Sequence, residues 1–174
     1  MILEQLKELE KESLQRGIPI LGREKGTWLL QKILETKPIK ILELGTANGY
    51  SGCILGSQGA ELTTIDINKA LSEEAKNNFK TFKINATILL GDALEKIKKF
   101  QNKSFDLVFI DFAKKSYIKT LEDSIRILKK NGIIIADNIT FPGCQNYKEA
   151  VLKDTRLKTE IIQIKDGLAC SKKL

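Results

Sequence analysis

Ile39-Lys40-Ile41-Leu42-Glu43-Leu44-Gly45-Thr46-Ala47-Asn48-Gly49-Tyr50-Ser51 reads as a short apolar strand that ends in an acid, breaks at a glycine turn and enters a helix. Strands covered on both faces show such near-continuous apolar runs. The same unit recurs downstream: Leu62 to Asp66, Thr87 to Leu90, Phe105 to Ile110 and Gly132 to Asp137 are short apolar runs, separated by helix-like segments over Tyr50 to Ser57, Lys69 to Lys80, Ala93 to Phe100 and Ser116 to Lys130. Each intervening segment is long enough for the crossover that parallel pairing requires. After a helix near Tyr147 to Lys153, Thr159 to Ile164 and Leu168 to Ser171 are candidates for a closing antiparallel pair. Upstream, Ile2, Leu3, Leu6 and Leu9 recur at helical spacing until Gly17 and Pro19. A second helix from about Arg23 to Thr36 carries Trp28, Leu29, Leu30, Ile33 and Leu34 on one stripe, and Pro38 ends it. The expected architecture is therefore α/β, doubly wound, with a mostly parallel seven-stranded sheet and N-terminal helices. One domain should occupy residues 1–174, with leading helices over 1–36 and the α/β core over 37–174.

The chain has 174 residues, 42% hydrophobic and 29% charged, which suits one globular domain with a sizeable core. No apolar run approaches the about 20 residues of a membrane span, and no basic-then-apolar leader opens the sequence. It contains no histidine, which removes the commonest general base and the commonest nitrogen ligand for transition metals. Cys53, Cys144 and Cys170 form no C-x-x-C pair and read as reduced, buried thiols, in keeping with a cytoplasmic protein. A metal here should be a hard cation held by oxygen, and a base should be Asp, Glu, Lys or Tyr. The net charge of +7 comes from 29 basic residues, of which only Arg16, Arg23, Arg126 and Arg156 are arginines, leaving 25 lysines. Such a coat solvates the surface, or steers an anionic partner such as tRNA.

In open sheets of this kind ligands bind beyond the carboxyl ends of the strands. The exits here are Glu43-Leu44-Gly45, Asp66, Gly91-Asp92, Asp111 and Asp137-Asn138. Helix capping is one reason for acids at such places, and Asp92 with Glu95 fits a capping box. Convergence is the other, because neighbouring strands lie about 4.8 Å apart and gather these side chains along one edge. The turn after Glu43 lacks a dinucleotide fingerprint, since Ala47 and Tyr50 replace its second and third glycines. Asp66, 21 residues after Gly45, is placed to accept from both hydroxyls of a ribose. A nucleoside without a pyrophosphate is the expected ligand.

Taken in order, Gly22-Arg23-Glu24-Lys25-Gly26, the Glu43 to Ser51 loop, Asp66, Gly91-Asp92-Ala93, Phe109 to Lys114, Ala136-Asp137-Asn138 with Pro142-Gly143, and Asp166-Gly167-Leu168 resemble the S-adenosylmethionine-dependent methyltransferases of the catechol and caffeoyl-CoA O-methyltransferase type. The resemblance runs from about Gly22 to Leu168 and implies a Rossmann-like class I methyltransferase fold. It implies that Glu43, Gly45, Ser51 and Asp66 hold the methionyl and ribose parts of S-adenosylmethionine, with Asp92 and Ala93 at the adenine and Asp111 shared between cofactor and cation. Asp111, Asp137 and Asn138 would bind Mg2+ or another divalent cation, and Lys114 would be the general base. Glu160, six residues before Asp166, matches a glutamate that binds a substrate hydroxyl in the catechol enzymes.

The residues also support the cation reading by themselves. Two carboxylates leaving neighbouring strands can share a small cation, and the neutral Asn138 oxygen adds a ligand without adding charge. Turn capping for the aspartates, a plain surface role for Lys114 beside Lys115, and a solvent-facing edge strand for Glu160 are the competing readings. Phe112-Ala113 leaves one ring to stack on an adenine, and Trp28 reads as core. The expected activity is methylation of a small catechol-like acceptor. Alternatives are O-methylation of a hydroxylated nucleoside in tRNA and a non-catalytic cofactor-binding scaffold. A homodimer is expected from the resemblance.

Overall fold

In the computed structural model, which describes residues 1–174, seven strands form one sheet. β1 (Lys40–Leu44), β2 (Glu61–Asp66), β3 (Ala86–Leu90), β4 (Phe105–Ile110) and β5 (Leu128–Asp137) pair in parallel. β6 (Leu157–Ile162) and β7 (Leu168–Lys173) form the closing hairpin, with β7 antiparallel to both β5 and β6. The order β3-β2-β1-β4-β5-β7-β6 reverses between β1 and β4, which opens a crevice at the carboxyl ends of those two strands.

Eight helices surround the sheet: α1 (Ile2–Gln5), α2 (Lys7–Gln15), α3 (Arg23–Thr36), α4 (Tyr50–Leu55), α5 (Lys69–Thr81), α6 (Ala93–Ile97), α7 (Tyr117–Ile127) and α8 (Gln145–Lys153). Side chains alternate across the sheet and so feed two cores. Ile41, Leu107, Phe109, Ile133 and Ile135 pack beneath α1, α3, α4 and α5. Leu42, Leu44, Val108, Ile110, Ile134 and Ala136 pack beneath α6, α7 and α8. Glu43 falls on the Ile41 face by the same alternation, which carries its carboxyl under α4 and buries it completely. No helix is long and apolar enough to cross a membrane.

Several element ends differ from the sequence reading by a few residues: α4 ends at Leu55 and α6 at Ile97, and β6 runs Leu157–Ile162 where Thr159 to Ile164 was expected. Two differences have a clear local cause. The leading helix divides at buried Leu6, whose N–H still bonds to the Ile2 carbonyl. The helix expected to reach Lys130 stops at Ile127, because Leu128 turns extended and begins β5 opposite Phe105. Leu121, Ile125 and Leu128 share helical spacing, so periodicity alone carries the helix too far. The irregularity that follows, between Phe105 and Leu107 on the facing strand, absorbs the extra residues before regular pairing resumes at Ile133.

Candidate active site

A cavity of about 610 Å3 opens over the carboxyl ends of β1, β2 and β4. Its lining brings together Gly45, Ser51, Asp66, Asp92, Ala93, Asp111 and Lys114, all of them expected there. Pro19, Ile20 and Leu21, from the α2–α3 connection, add an apolar side wall that the sequence reading had not assigned. The volume is that of a pocket for a ligand of nucleoside size or larger.

Gly45 makes the close approach between β1 and β4 possible. It sits at φ +99, and a Cβ there would lie 2.0 Å from the Asp111 carbonyl oxygen. The Gly45 N–H bonds to the Ile65 carbonyl, and the Asp111 N–H bonds to the Leu44 carbonyl, so the two strand exits are locked side by side. Asp66 supports the turn from below. Its Oδ2 accepts the N–H groups of Thr46 at 2.8 Å and Ala47 at 2.9 Å, and its Oδ1 accepts the Asn68 N–H at 2.8 Å. Ala47 needs that support, since it stands at φ +44, where a Cβ is disfavoured. The sequence reading expected Asp66 to meet a ribose; the structure shows it clamping the turn. α4 is a short helix of six residues, so the turn's geometry and not a long helix dipole shapes this end.

Glu43 lies behind the cavity wall, not on it. Ser51 Oγ donates to its Oε1 at 2.5 Å and Thr64 Oγ1 donates to its Oε2 at 2.7 Å. Burial pushes its carboxyl up to about 8 against these two bonds, and the charges of Asp111 and Asp66 push the same way. Asn48 carries an unmet demand: its Nδ2 donates to buried Ser13 Oγ at 2.7 Å, while its buried Oδ1 has no partner.

Asp92 caps α6 by accepting the Leu94 N–H at 2.8 Å. The reciprocal half of the expected capping box is missing, because Glu95 pairs with Lys98 at 2.8 Å. Phe112 stacks on Tyr117 with centroids 5.6 Å apart and planes at 19°. Lys114 opens a 3-10 turn and places Nζ 2.5 Å from Asp111 Oδ1 and 3.1 Å from the Tyr117 hydroxyl. Gly143 packs against this lysine: a Cβ there would meet Lys114 Cβ at 3.2 Å.

Asp137 and Asn138 leave β5 next to Asp111 but outside the cavity lining. Burial pushes the Asp137 carboxyl up to about 6, the nearby Asp111 charge adds to this, and bonds from Lys25 oppose it. Each carboxylate is paired with a lysine, Asp111 with Lys114 and Asp137 with Lys25. Asn138, held at φ +55, donates Nδ2 to Asp166 Oδ2 at 2.6 Å, which leaves its Oδ1 as a third oxygen donor. No group of three or more Asp, Glu, Cys or His side chains surrounds a single point. Lys25 Nζ bonds to both Asp137 Oδ1 and Asp166 Oδ1, a contact the sequence reading missed.

Glu160 does not join the site. It is an exposed residue within edge strand β6, paired with Cys170, which is paired in turn with Ile135, two residues short of Asp137. Its charge bears on Lys32 and Cys170 instead.

Residues 1–174 match the sequence profile of a family described as O-methyltransferase. The chain belongs to the O-methyltransferase family. Catechol O-methyltransferase B of Danio rerio is 31% identical over 166 residues, covering 85% of this chain and 63% of that protein, so the chain spans less than two thirds of that relative's length. A crystal structure described as a candidate caffeoyl-CoA O-methyltransferase from Staphylococcus aureus is 30% identical with a TM-score of 0.88, covering 99% of this chain and 92% of that one. An O-methyltransferase from Bacillus cereus, solved in complex with SAH, shares the fold at a TM-score of 0.84 and 20% identity, covering 99% of this chain and 90% of that one. In this O-methyltransferase-family chain, then, the strand exits gather an acid-lined cavity beside a carboxylate pair, as the fold expects of a ligand site.

Proposed function

We propose that the chain transfers a methyl group from S-adenosylmethionine to one hydroxyl of a small acceptor bearing vicinal hydroxyls. Asp111, Asp137 and Asn138 would hold a divalent cation, Mg2+ or another taken by oxygen ligands. The observation that carries the reading is Asp111 itself, which lines the cavity, repels Asp137 and touches Lys114 Nζ at 2.5 Å. When bound, the cofactor supplies an electrophilic sulfonium methyl and the cation makes an acceptor hydroxyl more acidic. Asp66 and the Gly45 turn hold the ribose, Ser51, backed by Glu43, borders the methionyl end, and Asp92 and Ala93 border the base. Lys114 Nζ, beside Asp111, is the group placed to take up the hydroxyl proton. Tyr117, with its hydroxyl at 3.1 Å, keeps that nitrogen in place. Pro19 to Leu21 exclude water from the side of the cavity. Catalysis on this account is mainly positioning and charge neutralisation.

Asp111→Asn tests the reading. Label transfer should be lost while binding of S-adenosylhomocysteine, measured by calorimetry, is largely kept; undiminished transfer would remove the cation role. A second reading, methylation of a hydroxylated nucleoside in tRNA, draws on the net charge of +7 and on a groove between α5 and β3 that holds Lys69, Lys76 and Lys80. Salt-dependent retention on tRNA supports it, and no retention at low salt removes it.

A further inference from the structure

Lys25 is the only buried lysine among the chain's 25, at 2% exposure, and the reaction just described has no use for it. It projects from the first turns of α3, and its ammonium bonds to one oxygen of Asp137 and one of Asp166. Asp166 uses its other oxygen to accept Asn138 Nδ2. One ammonium and one carboxylate therefore tie both halves of the Asp137-Asn138 pair to a helix remote in sequence. Removing such charges from water costs several kcal/mol per ion, and well-packed apolar side chains often serve stability as well. What apolar side chains cannot do is orient. Asn138 stands at φ +55, and its amide is free to present nitrogen or oxygen unless a neighbour decides; Asp166 decides by taking the nitrogen. The turn that follows is fastened to the same place, since the Thr140 N–H and hydroxyl both bond to the Asp166 carbonyl oxygen.

We propose that Lys25 is a positioning residue of the cation site, clamping Asp137 and Asp166 together so that Asp166 turns the Asn138 oxygen toward the same point as the Asp137 and Asp111 carboxylates. The inference rests on the cation reading of Asp111, Asp137 and Asn138 given above. It opposes a simpler role for Lys25 as a counter-charge, and the two differ in sign. A positive charge beside the site repels a divalent cation, so removing mere counter-charge tightens binding. Removing a clamp loosens it.

The test titrates the full chain with Mn2+ and counts free ion by electron paramagnetic resonance, with no acceptor and no turnover involved. The wild type, Lys25→Met, Asp166→Ala and the double variant are compared. Each single substitution should weaken Mn2+ binding about tenfold or more, as is usual for partners that orient metal ligands. The double variant should be no weaker than the worse single one, because the two residues act as one unit. Tighter binding by Lys25→Met would make the lysine a counter-charge and overturn the proposal. Asp166, with a side chain 33% exposed, tolerates truncation better than Lys25; unchanged affinity in Asp166→Ala, or losses that multiply in the double variant, would overturn it equally. If the wild type takes up no Mn2+, the cation reading itself falls, and the positioning role with it.

Discussion

Replacing Glu43 by glutamine removes one ionisable group while keeping its shape and its neighbours. The Ser51 and Thr64 hydroxyls, at 2.5 and 2.7 Å, can donate to an amide oxygen or accept from an amide nitrogen. In the wild type, burial raises this carboxyl from 4.5 to about 8. The folded chain thus keeps a proton that the unfolded chain releases, and the stability present below the unfolded value is lost as pH rises through the folded one. At about 1.4 kcal/mol per unit, the loss from about pH 5.5 to about pH 8.5 is about 3 kcal/mol for this group. Urea denaturation without cofactor, run on wild type and Glu43→Gln at both pH values, isolates it, since every other titrating group is common to the two proteins. The wild type should weaken by about 3 kcal/mol more than the variant over that interval. Equal changes in the two proteins would refute the reasoning, and with it the view of Glu43 as a buried acid that keeps its proton.

Two other perturbations follow from local geometry. Gly45→Ala forces a Cβ to within 2.0 Å of the Asp111 carbonyl oxygen at φ +99, so the variant should lose about 2 to 4 kcal/mol and bind S-adenosylhomocysteine more weakly, as thermal denaturation and calorimetry would register. Burial alone would raise the Asp106 carboxyl, but bonds from Lys129 and from the Lys40 and Ile39 N–H groups outweigh it and hold it below its usual 3.8. Its contribution is present above that value and lost as pH falls through the folded one, so Asp106→Asn should show a shallower acid limb in a stability profile against pH.

The strands were legible because parallel strands buried on both faces leave runs such as Phe105 to Ile110, whose bounds the structure reproduces. α3 was legible because Gly22, at φ +76, and Pro38 punctuate it. Leu128 was not, since its place in a helical stripe and its place at the head of β5 look alike in one dimension. Within the site, the exits converged as the topology required, bringing Gly45, Ser51, Asp66, Asp92 and Asp111 to one cavity. Lys25 was hidden for two reasons: composition presented it as one of many solvating lysines, and its partner Asp166 lies 141 residues away. For Glu160 the sequence left two readings open, and the structure places it on the exposed edge strand. Counting back from Asp166 gives a position in sequence, whereas the register of the β6–β7 hairpin decides the position in space, and it leaves Glu160 level with Cys170 and Ile135.

The central claim is cation-assisted methyl transfer, and the most direct measurement is transfer of labelled methyl from S-adenosylmethionine to a simple catechol, with Mg2+ and again with the metal chelated. The account predicts transfer that disappears on chelation and returns when Mg2+ is restored. Transfer that persists in full under chelation would contradict the role given to Asp111, Asp137 and Asn138, and no transfer in either condition, from protein shown to bind the cofactor, would contradict the small vicinal-diol acceptor.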